Sequence, residues 1–320
     1  MTTRIVGTGS YVPKQIVTND DLSKVVETSD EWIKSRTGIA QRRIAAEETT
    51  SFMAAEAGRR ALEQSGTAPE EVELILLATS SPDDCFPNGS CQVQAMLGAV
   101  HAACYDISAA CSGFLFALNT AHAFICAGMY KTVLVIGADV LSKLVDWTDR
   151  ATCVLFGDGA GAAVVKADEH GILGFNMHSN GEKGPVLTCA ARTGGNFLTG
   201  KRPELGYMTM DGQEVFKFAV KKVPECISQV LEDTGISKEE IDQFIIHQAN
   251  YRIIESIAKR LGVELERFPV NMGLYGNTSA ASIPILLDEQ NRSKALKRGS
   301  KLVLSGFGAG LTWGAAVLEW

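Results

Sequence analysis

The sequence predicts a layered α/β fold made of two copies of one unit that are related by a pseudo-twofold axis. The chain has 320 residues, of which 46% are hydrophobic and 21% charged, enough for two fused half-domains with a substantial core. Short apolar runs typical of buried strands alternate with helical patterns, which indicates sheets covered by helices. The chain also partly matches itself, which indicates a duplication.

The self-match is clearest where Ser65–Thr79 falls on Thr234–Gln248, a shift of 169 residues. Each copy has a helix that ends at glycine, a short acidic turn and a buried strand. Two further matches are Val133–Gly137 with Leu302–Gly306 and, after a two-residue slip, Ser108–Cys111 with Ser279–Ser282. We therefore expect an N-terminal half over residues 1–168 and a C-terminal half over residues 169–320.

Charge and cysteine spacing exclude several classes of protein. The net charge of −7 is dispersed, and without a basic block we expect neither a nucleic-acid nor a membrane partner. The uncharged run 107–130 is long enough to span a bilayer, but it contains Ser108, Asn119 and His122, so we interpret it as a helix buried in the α/β core. The first residues form no apolar signal and the cysteines have no metal-site spacing, so we expect a cytoplasmic protein without a metal.

Cys111 is the first candidate for chemistry, because small residues precede it and an apolar helical stretch follows it. This spacing predicts a thiol in the first turn of a buried helix, where unsatisfied N–H groups and partial positive charge favour the thiolate. Most cysteines only fill space in a core. The small neighbours Ala109, Ala110, Ser112 and Gly113 leave room for a ligand, which favours a nucleophile here.

Polar residues follow apolar runs in the second copy. His247 ends one such run, Asn277 lies in a turn-like segment, and Gly306–Gly310 is rich in glycine. Their ordinary interpretations are a core histidine, a helix cap and a tight turn between strands. Because ligand sites in α/β folds lie at the carboxyl ends of strands, we expect them to share one pocket with Cys111. A cysteine, two neutral donors and backbone N–H groups suit acyl transfer followed by carbon–carbon bond formation. The same residue types serve cysteine proteases, which need a more open cleft.

The ordered motifs Ala109–Gly113, His247–Asn250, Gly276–Ser282 and Gly306–Gly314 resemble the β-ketoacyl-acyl-carrier-protein synthase III family of the thiolase superfamily, from end to end of the chain. The resemblance implies a thiolase-like fold and a decarboxylating condensation of an acyl-CoA primer, expected to be acetyl-CoA, with malonyl-acyl-carrier protein. The products would be a 3-oxoacyl-carrier protein, CoA and CO2. Acyl-CoA would be a substrate, and no cofactor is implied.

The resemblance also implies a role for each catalytic group. Cys111 would accept the acyl group, while His247 and Asn277 would promote decarboxylation and stabilise the enolate. The backbone N–H groups of Cys111 and Ala309 would form the oxyanion hole. The family commonly has glycine where this chain has Ala309, and the added methyl group narrows the pocket beside Cys111 if the backbone conformation is ordinary.

Binding positions follow from the same resemblance. The CoA-binding residues would be Thr28, Trp32, Arg36, Arg150, Met210, Gly212, Phe216 and Asn250, with Trp32 and Arg150 enclosing the adenine. The carrier-protein-binding residues would be Gln248, Ala249, Asn250, Tyr251 and Arg252, the last facing an acidic partner. Phe86 would enter the acyl pocket of a neighbouring subunit, which predicts a homodimer.

Two alternatives stay open at this point. A polyketide-type condensing enzyme also uses cysteine, histidine and asparagine. A non-catalytic partner subunit of a synthase is the other alternative, although such subunits normally lose the nucleophile. Residues 300–314 contain neither cysteine nor histidine, which argues against degradative thiolases and two-histidine elongating synthases.

Overall fold

The computed structural model describes residues 1–191, 194–202, 204 and 206–320. The strands are β1 (Thr2–Tyr11), β2 (Ile16–Thr18), β3 (Gln41–Arg43), β4 (Leu74–Ala78), β5 (Ala103–Ile107), β6 (Thr132–Asp139), β7 (Gly159–Asp168), β8 (Ile172–Ser179), β9 (Leu187–Cys189), β10 (Met208–Met210), β11 (Gln243–Ile246), β12 (Lys301–Gly308) and β13 (Thr312–Glu319). The helices are α1 (Asn19–Leu22), α2 (Asp30–Thr37), α3 (Thr50–Ser65), α4 (Gly89–Leu97), α5 (Gly113–Cys126), α6 (Arg150–Cys153), α7 (Gly212–Thr234), α8 (Tyr251–Leu261), α9 (Met272–Tyr275) and α10 (Ser282–Arg292).

The two main sheets have matching topologies. The first has the strand order β1-β7-β6-β4-β5, and the second has the order β8-β13-β12-β11 when it is read from the corresponding edge. Each sheet contains two adjacent parallel strands that are buried, β4 and β6 in the first sheet and β11 and β12 in the second. The predicted repeat places β4 on β11 and β6 on β12. The sheets therefore confirm the predicted duplicated, layered α/β architecture. Strand β5 lies at one edge of the first sheet.

Helices α5 and α10 form the middle layer. Helix α5 contacts β4 and β6 of one sheet and β12 and β13 of the other, while α10 contacts both sheets from its own side. Helices α3 and α7 cover the outer faces. Phe114, Leu115 and Leu118 of α5 are completely buried, each contributing about 2 kcal/mol by its removal from water. The uncharged run is thus a core helix. In the described ranges, no helix is both long enough and apolar enough to cross a membrane.

A left-handed turn starts the central helix in each copy. Ala110 has a φ of 46° and Ser279 a φ of 52°, a conformation that non-glycine residues seldom adopt. Each of these residues begins one turn of 3-10 helix, Ala110–Ser112 in the first copy and Ser279–Ala281 in the second. Helices α5 and α10 follow directly after these turns. The turns are thus related by the same shift of 169 residues. The predicted two-residue slip is wrong, because backbone conformation pairs Ala110 with Ser279 and Cys111 with Ala280.

The boundary between the halves lies in a short connection. Strand β7 ends at Asp168 and β8, the first strand of the second sheet, begins at Ile172. We propose the predicted division, residues 1–168 and 169–320, as the two copies of the ancestral unit. Both copies direct the carboxyl ends of their central strands and the start of their central helix toward the same region of the molecule.

Candidate active site

Cys111 lies in the 3-10 turn that leads into α5, as the sequence predicted. Side chains tie this turn to the β12–β13 hairpin. The Ser112 hydroxyl lies 2.8 Å from Thr312 Oγ1, and the Thr312 hydroxyl donates to the Ala309 carbonyl at 3.0 Å. The same threonine hydroxyl lies 3.1 Å from the carbonyl of Ala109. The nucleophile turn of the first copy is therefore fixed directly to a hairpin of the second.

Glycine at 308 lets these two segments approach each other. A Cβ atom built at Gly308 would lie 2.6 Å from the Cys111 backbone nitrogen and 3.1 Å from the Ala110 Cβ. Real Cβ atoms do not approach backbone this closely, so any side chain here would push the two segments apart. The glycine-rich segment thus serves a close approach of backbone to the nucleophile.

The environment of the Cys111 thiol differs from the one that its helix position predicts. Burial raises the pKa of Cys111 to about 12; the contact with the Ser279 hydroxyl lowers this pKa, whereas the Asp139 carboxylate raises it. The residue is only 9% exposed, and Asp139 is completely buried. The desolvation of the thiolate therefore outweighs the attraction of the helix start, and the unliganded protein holds a protonated thiol at neutral pH.

His247 follows β11 and is held from several sides. Its backbone N–H donates to Ser305 O at 2.8 Å, and its Nδ1 lies 2.6 Å from Ser282 Oγ. The Phe307 ring stands nearly perpendicular to the imidazole, with centroids 5.2 Å apart. Burial lowers the pKa of His247 to about 3, so the ring is neutral. Because Ser282 occupies Nδ1, Nε2 is the nitrogen left to face a ligand.

Asn277 is anchored through its backbone and its side-chain oxygen. Its N–H donates to Leu155 O at 2.9 Å, its carbonyl accepts from Gly157 N at 3.0 Å, and its Oδ1 accepts from Ser279 N at 2.9 Å. The backbone bonds form an isolated parallel bridge between Phe156 and Asn277. With Oδ1 engaged, the Nδ2 amino group is the part of the side chain that can donate to a ligand.

These three side chains meet at one cavity of about 230 Å³. Cys111, His247 and Asn277 all contribute to its wall, as the sequence predicted. Predicted CoA- and carrier-binding residues that also line it are Trp32, Arg36, Met210, Gly212, Phe216, Ala249 and Asn250. Most of the remaining wall is apolar. The cavity therefore has the shape of a passage that leads from the surface to the thiol.

Trp32 marks the outer end of this passage. The guanidinium of Arg36 lies 4.5 Å from the centroid of the Trp32 ring and that of Arg150 lies 4.8 Å from it. Arg150 also donates to Glu27 O at 3.0 Å, and the hydroxyl of the adjacent Thr28 is buried without a hydrogen-bond partner among the described residues. An aromatic ring needs about this same spacing to stack on Trp32, so an adenine can enter between Trp32 and Arg150 only if the guanidinium moves outward.

Cys111 also lines a second cavity, of about 390 Å³. Ala309 lines this cavity rather than the first, together with the apolar side chains Leu141, Leu144, Leu187 and Met208. Ala309 is not among the residues with positive φ, so alanine fits this backbone position without strain. Cys111 thus lines two neighbouring cavities, which also share Phe156 and Leu187.

The predicted carrier-protein-binding segment is only partly exposed. Gln248 is 1% exposed and bonds to backbone within the interior: its Nε2 donates to Ile246 O, and its Oε1 accepts from Asn271 N. It supports the segment and cannot face a partner. Asn250 caps α8 and its Nδ2 donates to Arg36 O at 3.1 Å, while Arg252 is exposed in the first turn of that helix.

Phe86 lines neither of these two cavities within its own chain. The side chain is 88% exposed, in the segment between β4 and α4. Strand β5, at the free edge of the first sheet, follows α4. An exposed phenylalanine is typical of a surface that another chain covers, and so is a strand at the edge of a sheet.

Sequence reasoning missed four supporting residues: Ser279, Ser282, Phe307 and Thr312. All four stand inside the motifs that carry the catalytic candidates, but only tertiary contacts show that they hold the thiol turn or the imidazole. The one available signal was their position in these motifs.

Comparison with known proteins gives a consistent result. Residues 105–181 match the family model "3-Oxoacyl-[acyl-carrier-protein (ACP)] synthase III", and residues 231–320 match the model of its C-terminal part. The chain is 53% identical over 318 residues to a β-ketoacyl-[acyl-carrier-protein] synthase III of Clostridium acetobutylicum, covering 99% of this chain and 98% of that protein.

Solved structures agree with this sequence relationship. A crystal structure of 3-oxoacyl-[acyl-carrier-protein] synthase III from Aquifex aeolicus has a TM-score of 0.93 at 48% identity and covers 99% of this chain and 100% of that chain. The priming β-ketosynthase of the R1128 polyketide pathway has a TM-score of 0.92 at 35% identity, with 99% and 96% covered. The chain belongs to the β-ketoacyl-[acyl-carrier-protein] synthase III family of condensing acyltransferases, which have the thiolase fold.

Proposed function

We propose that this protein uses Cys111, His247 and Asn277 to condense an acyl-CoA primer with malonyl-acyl-carrier protein, the initiating step of fatty acid synthesis. The observation that carries these assignments is the convergence of the three side chains on one cavity. The first copy supplies the nucleophile and the second copy supplies both donors. Family membership fixes the class of reaction, and the geometry supports the roles.

The first step is transfer of the acyl group. The Cys111 sulfur attacks the thioester carbonyl, the carbonyl π electrons move to oxygen, and the N–H groups of Cys111 and Ala309 stabilise the resulting oxyanion. The oxyanion then collapses and the bond to the CoA sulfur breaks. Because burial keeps Cys111 protonated, its proton must leave as the new bond forms. That proton ends on the departing CoA sulfur, so the step creates no net charge in a cavity that disfavours charge.

The second step is decarboxylation. The bond between the malonyl carboxylate and its α-carbon breaks, CO2 leaves, and the electron pair passes into the thioester as an enolate. His247 Nε2–H and Asn277 Nδ2–H donate to the enolate oxygen. The required imidazole tautomer follows if the Ser282 hydroxyl donates to Nδ1, 2.6 Å away. A neutral imidazole suits this role, since no proton has to be removed from the substrate.

In the third step the enolate carbon attacks the carbonyl of the acyl-Cys111 thioester. The oxyanion again lies at the N–H groups of Cys111 and Ala309, and collapse breaks the carbon–sulfur bond. The 3-oxoacyl-carrier protein leaves, and the thiolate takes a proton from solvent to restore the resting thiol. The N–H groups of Cys111 and Ala309 therefore stabilise the oxyanion in both the acyl-transfer step and the condensation step.

Each of the two cavities would hold a different part of the acyl-CoA primer. The pantetheine arm of CoA would occupy the passage of about 230 Å³, with the nucleotide on Trp32 once Arg150 has moved outward. The acyl group would enter the compartment of about 390 Å³ that Cys111 also lines. Its apolar wall suits a hydrocarbon chain, and the Ala309 methyl group favours a small one, such as acetyl.

A homodimer would complete that compartment. Phe86 is exposed, and β5 offers unpaired backbone groups at the sheet edge for pairing with a second copy. Phe86 of the partner subunit would then close the acyl compartment. Malonyl-carrier protein would dock at the other opening, where Arg36 and Arg252 are exposed beside the passage.

The experiment is mass measurement of the intact protein after incubation with acyl-CoAs of increasing chain length, followed by malonyl-carrier protein. We expect a single added acyl group that is absent from Cys111→Ala, and one condensation per turnover. Peptide mapping that places the acyl group on any other cysteine would overturn the assignment. Repeated extension of the product would favour the polyketide-type alternative, and no acylation at all would favour a non-catalytic subunit.

A further inference from the structure

Arg42, in the middle of β3, is an unusual buried residue. Its side chain is 0% exposed. Nη1 donates to Val17 O at 3.2 Å and Nη2 donates to Val154 O at 2.9 Å, whereas Nε has no partner in the described part of the chain. No carboxylate in the described part of the chain pairs with it, and the charge that raises its pKa is the Cys153 thiolate, a form that burial disfavours. Among the described residues, this guanidinium is therefore a buried cation without a counter-ion.

A buried guanidinium without a counter-ion lowers the stability of the folded protein. Removing a charge from water costs several kcal/mol, and buried cations in proteins are normally paired. A hydrophobic side chain of similar length would avoid that cost at this position. Sequences retain violations of this kind mainly where function requires them, so the surroundings of Arg42 are informative.

Arg42 packs directly under the segment that carries Asn277. Cβ atoms built at Gly276 and at Gly157 would each lie 3.2 Å from the Arg42 Cβ. The Gly157 N–H donates to Asn277 O at 3.0 Å. Arg42 Nη2 donates to the carbonyl of Val154, the first residue of the strip 154–157. The backbone of Asn277 is bonded to this strip, and Val154, Leu155 and Phe156 of the strip line the reaction cavity.

We propose that Arg42 is a positioning residue, which holds the 154–157 strip against β2 and thereby places the Asn277 amide for the enolate. The proposal rests on the role of Asn277 in the proposed function. One planar guanidinium can donate to two carbonyls on separate segments, Val17 and Val154, whereas an ammonium group reaches one of them well. This explains why arginine, rather than lysine or an apolar residue, fits this position.

The test compares Arg42→Met and Arg42→Lys in the two half-reactions. We expect R42M to lower decarboxylation of malonyl-carrier protein by ~10–100-fold, the size typical of a displaced catalytic group, and to change acyl transfer to Cys111 by less than ~3-fold. R42K should lose less of the decarboxylation rate than R42M. The matched control is Arg43→Met: Arg43 is the next residue on the same strand, and its guanidinium donates to the Pro13 and Lys14 carbonyls at 3.2 and 3.3 Å rather than to the strip bonded to Asn277. R43M should leave both half-reactions unchanged.

A double-mutant cycle with Asn277→Ala distinguishes positioning from general destabilisation. If Arg42 acts through Asn277, R42K and R42M should add little to the loss already caused by N277A. Full additivity, or an equal loss in both half-reactions, would overturn the proposal. Should R42M fail to fold, R42K gives the same cycle. A normal decarboxylation rate in N277A would overturn the assigned role of Asn277 itself, and the proposal for Arg42 with it.

Discussion

Gly308→Ala tests whether the close approach of β12 to the nucleophile turn is essential. The added Cβ would lie 2.6 Å from the Cys111 nitrogen, while ordinary van der Waals contact begins at 3.4 Å, so the two backbones must separate by about 0.8 Å. Neither side is a flexible side chain that can rotate away, because the nearest atoms are the backbone of Cys111 and the Ala110 Cβ. The displacement therefore falls on the nucleophile itself.

Two magnitudes follow from that displacement. Overpacking of a dense interior costs ~1–3 kcal/mol of folding stability, and a shift of about 1 Å in a catalytic group costs ~10²-fold in rate. We expect G308A to fold, with a measurable loss of thermal stability, and to acylate Cys111 about 100 times more slowly than the wild type. Time-resolved intact-mass measurement with an acyl-CoA gives this rate directly.

The control variant is Gly181→Ala, where an added Cβ meets nothing within 4 Å. It should change neither stability nor acylation. A G308A protein that acylates Cys111 at the wild-type rate would refute the reasoning, since it would show that the hairpin can retreat without moving the thiol or its oxyanion donors.

Three further predictions concern the other groups of the site. His247→Ala and Asn277→Ala should each lower decarboxylation by ~10²–10³-fold in a malonyl-carrier-protein assay, with acyl transfer affected less, and equal losses would show misassigned roles. Because the pKa of Cys111 is raised to about 12, its thiolate fraction in the free protein should grow about tenfold per pH unit, so alkylation by iodoacetamide should accelerate from pH 7 to 9; a plateau near pH 7 would contradict this. Arg252→Glu should weaken the use of malonyl-carrier protein at low salt and less at high salt, where the screening length falls below ~8 Å, while acylation by acyl-CoA persists. A carrier-protein KM that is unchanged in this variant would leave Arg252 an ordinary surface charge.

The fold was predictable because the periodic apolar pattern and the internal repeat both survive in the sequence. The strands β4 and β11 lie where the self-match placed them. The two-residue slip was wrong for a physical reason. Similar small residues around Cys111 and Ser282 matched by identity, whereas the left-handed conformation at Ala110 and Ser279 sets the true equivalence. A match between residue types alone does not show the backbone conformation.

The meeting of Cys111 and His247 was likewise predictable, since Cys111 lies between β5 and α5, and His247 directly follows the buried strand β11 of the other copy. Asn277 follows α9 rather than a strand, so its place in the cavity depends on tertiary contacts. The chemistry of the thiol was not. A helix start is a local feature that the sequence displays, but the burial that raises the pKa of Cys111 comes from segments distant in the chain. Gln248 and Arg42 illustrate the same limit: neither neighbouring sequence nor charge indicates that both side chains are completely enclosed.

The repeated left-handed turn has an evolutionary consequence. At the shift of 169 residues, Ala280 stands where the other copy has Cys111, and Ala78 stands where the other copy has His247. Ala280 has a different task, because its N–H approaches the carboxylate of Asp139 at 3.4 Å. Neither copy therefore carries both the thiol and the imidazole, and one complete site needs both copies. An ancestral pair of identical units could have built two equivalent sites, and the fused chain is committed to one.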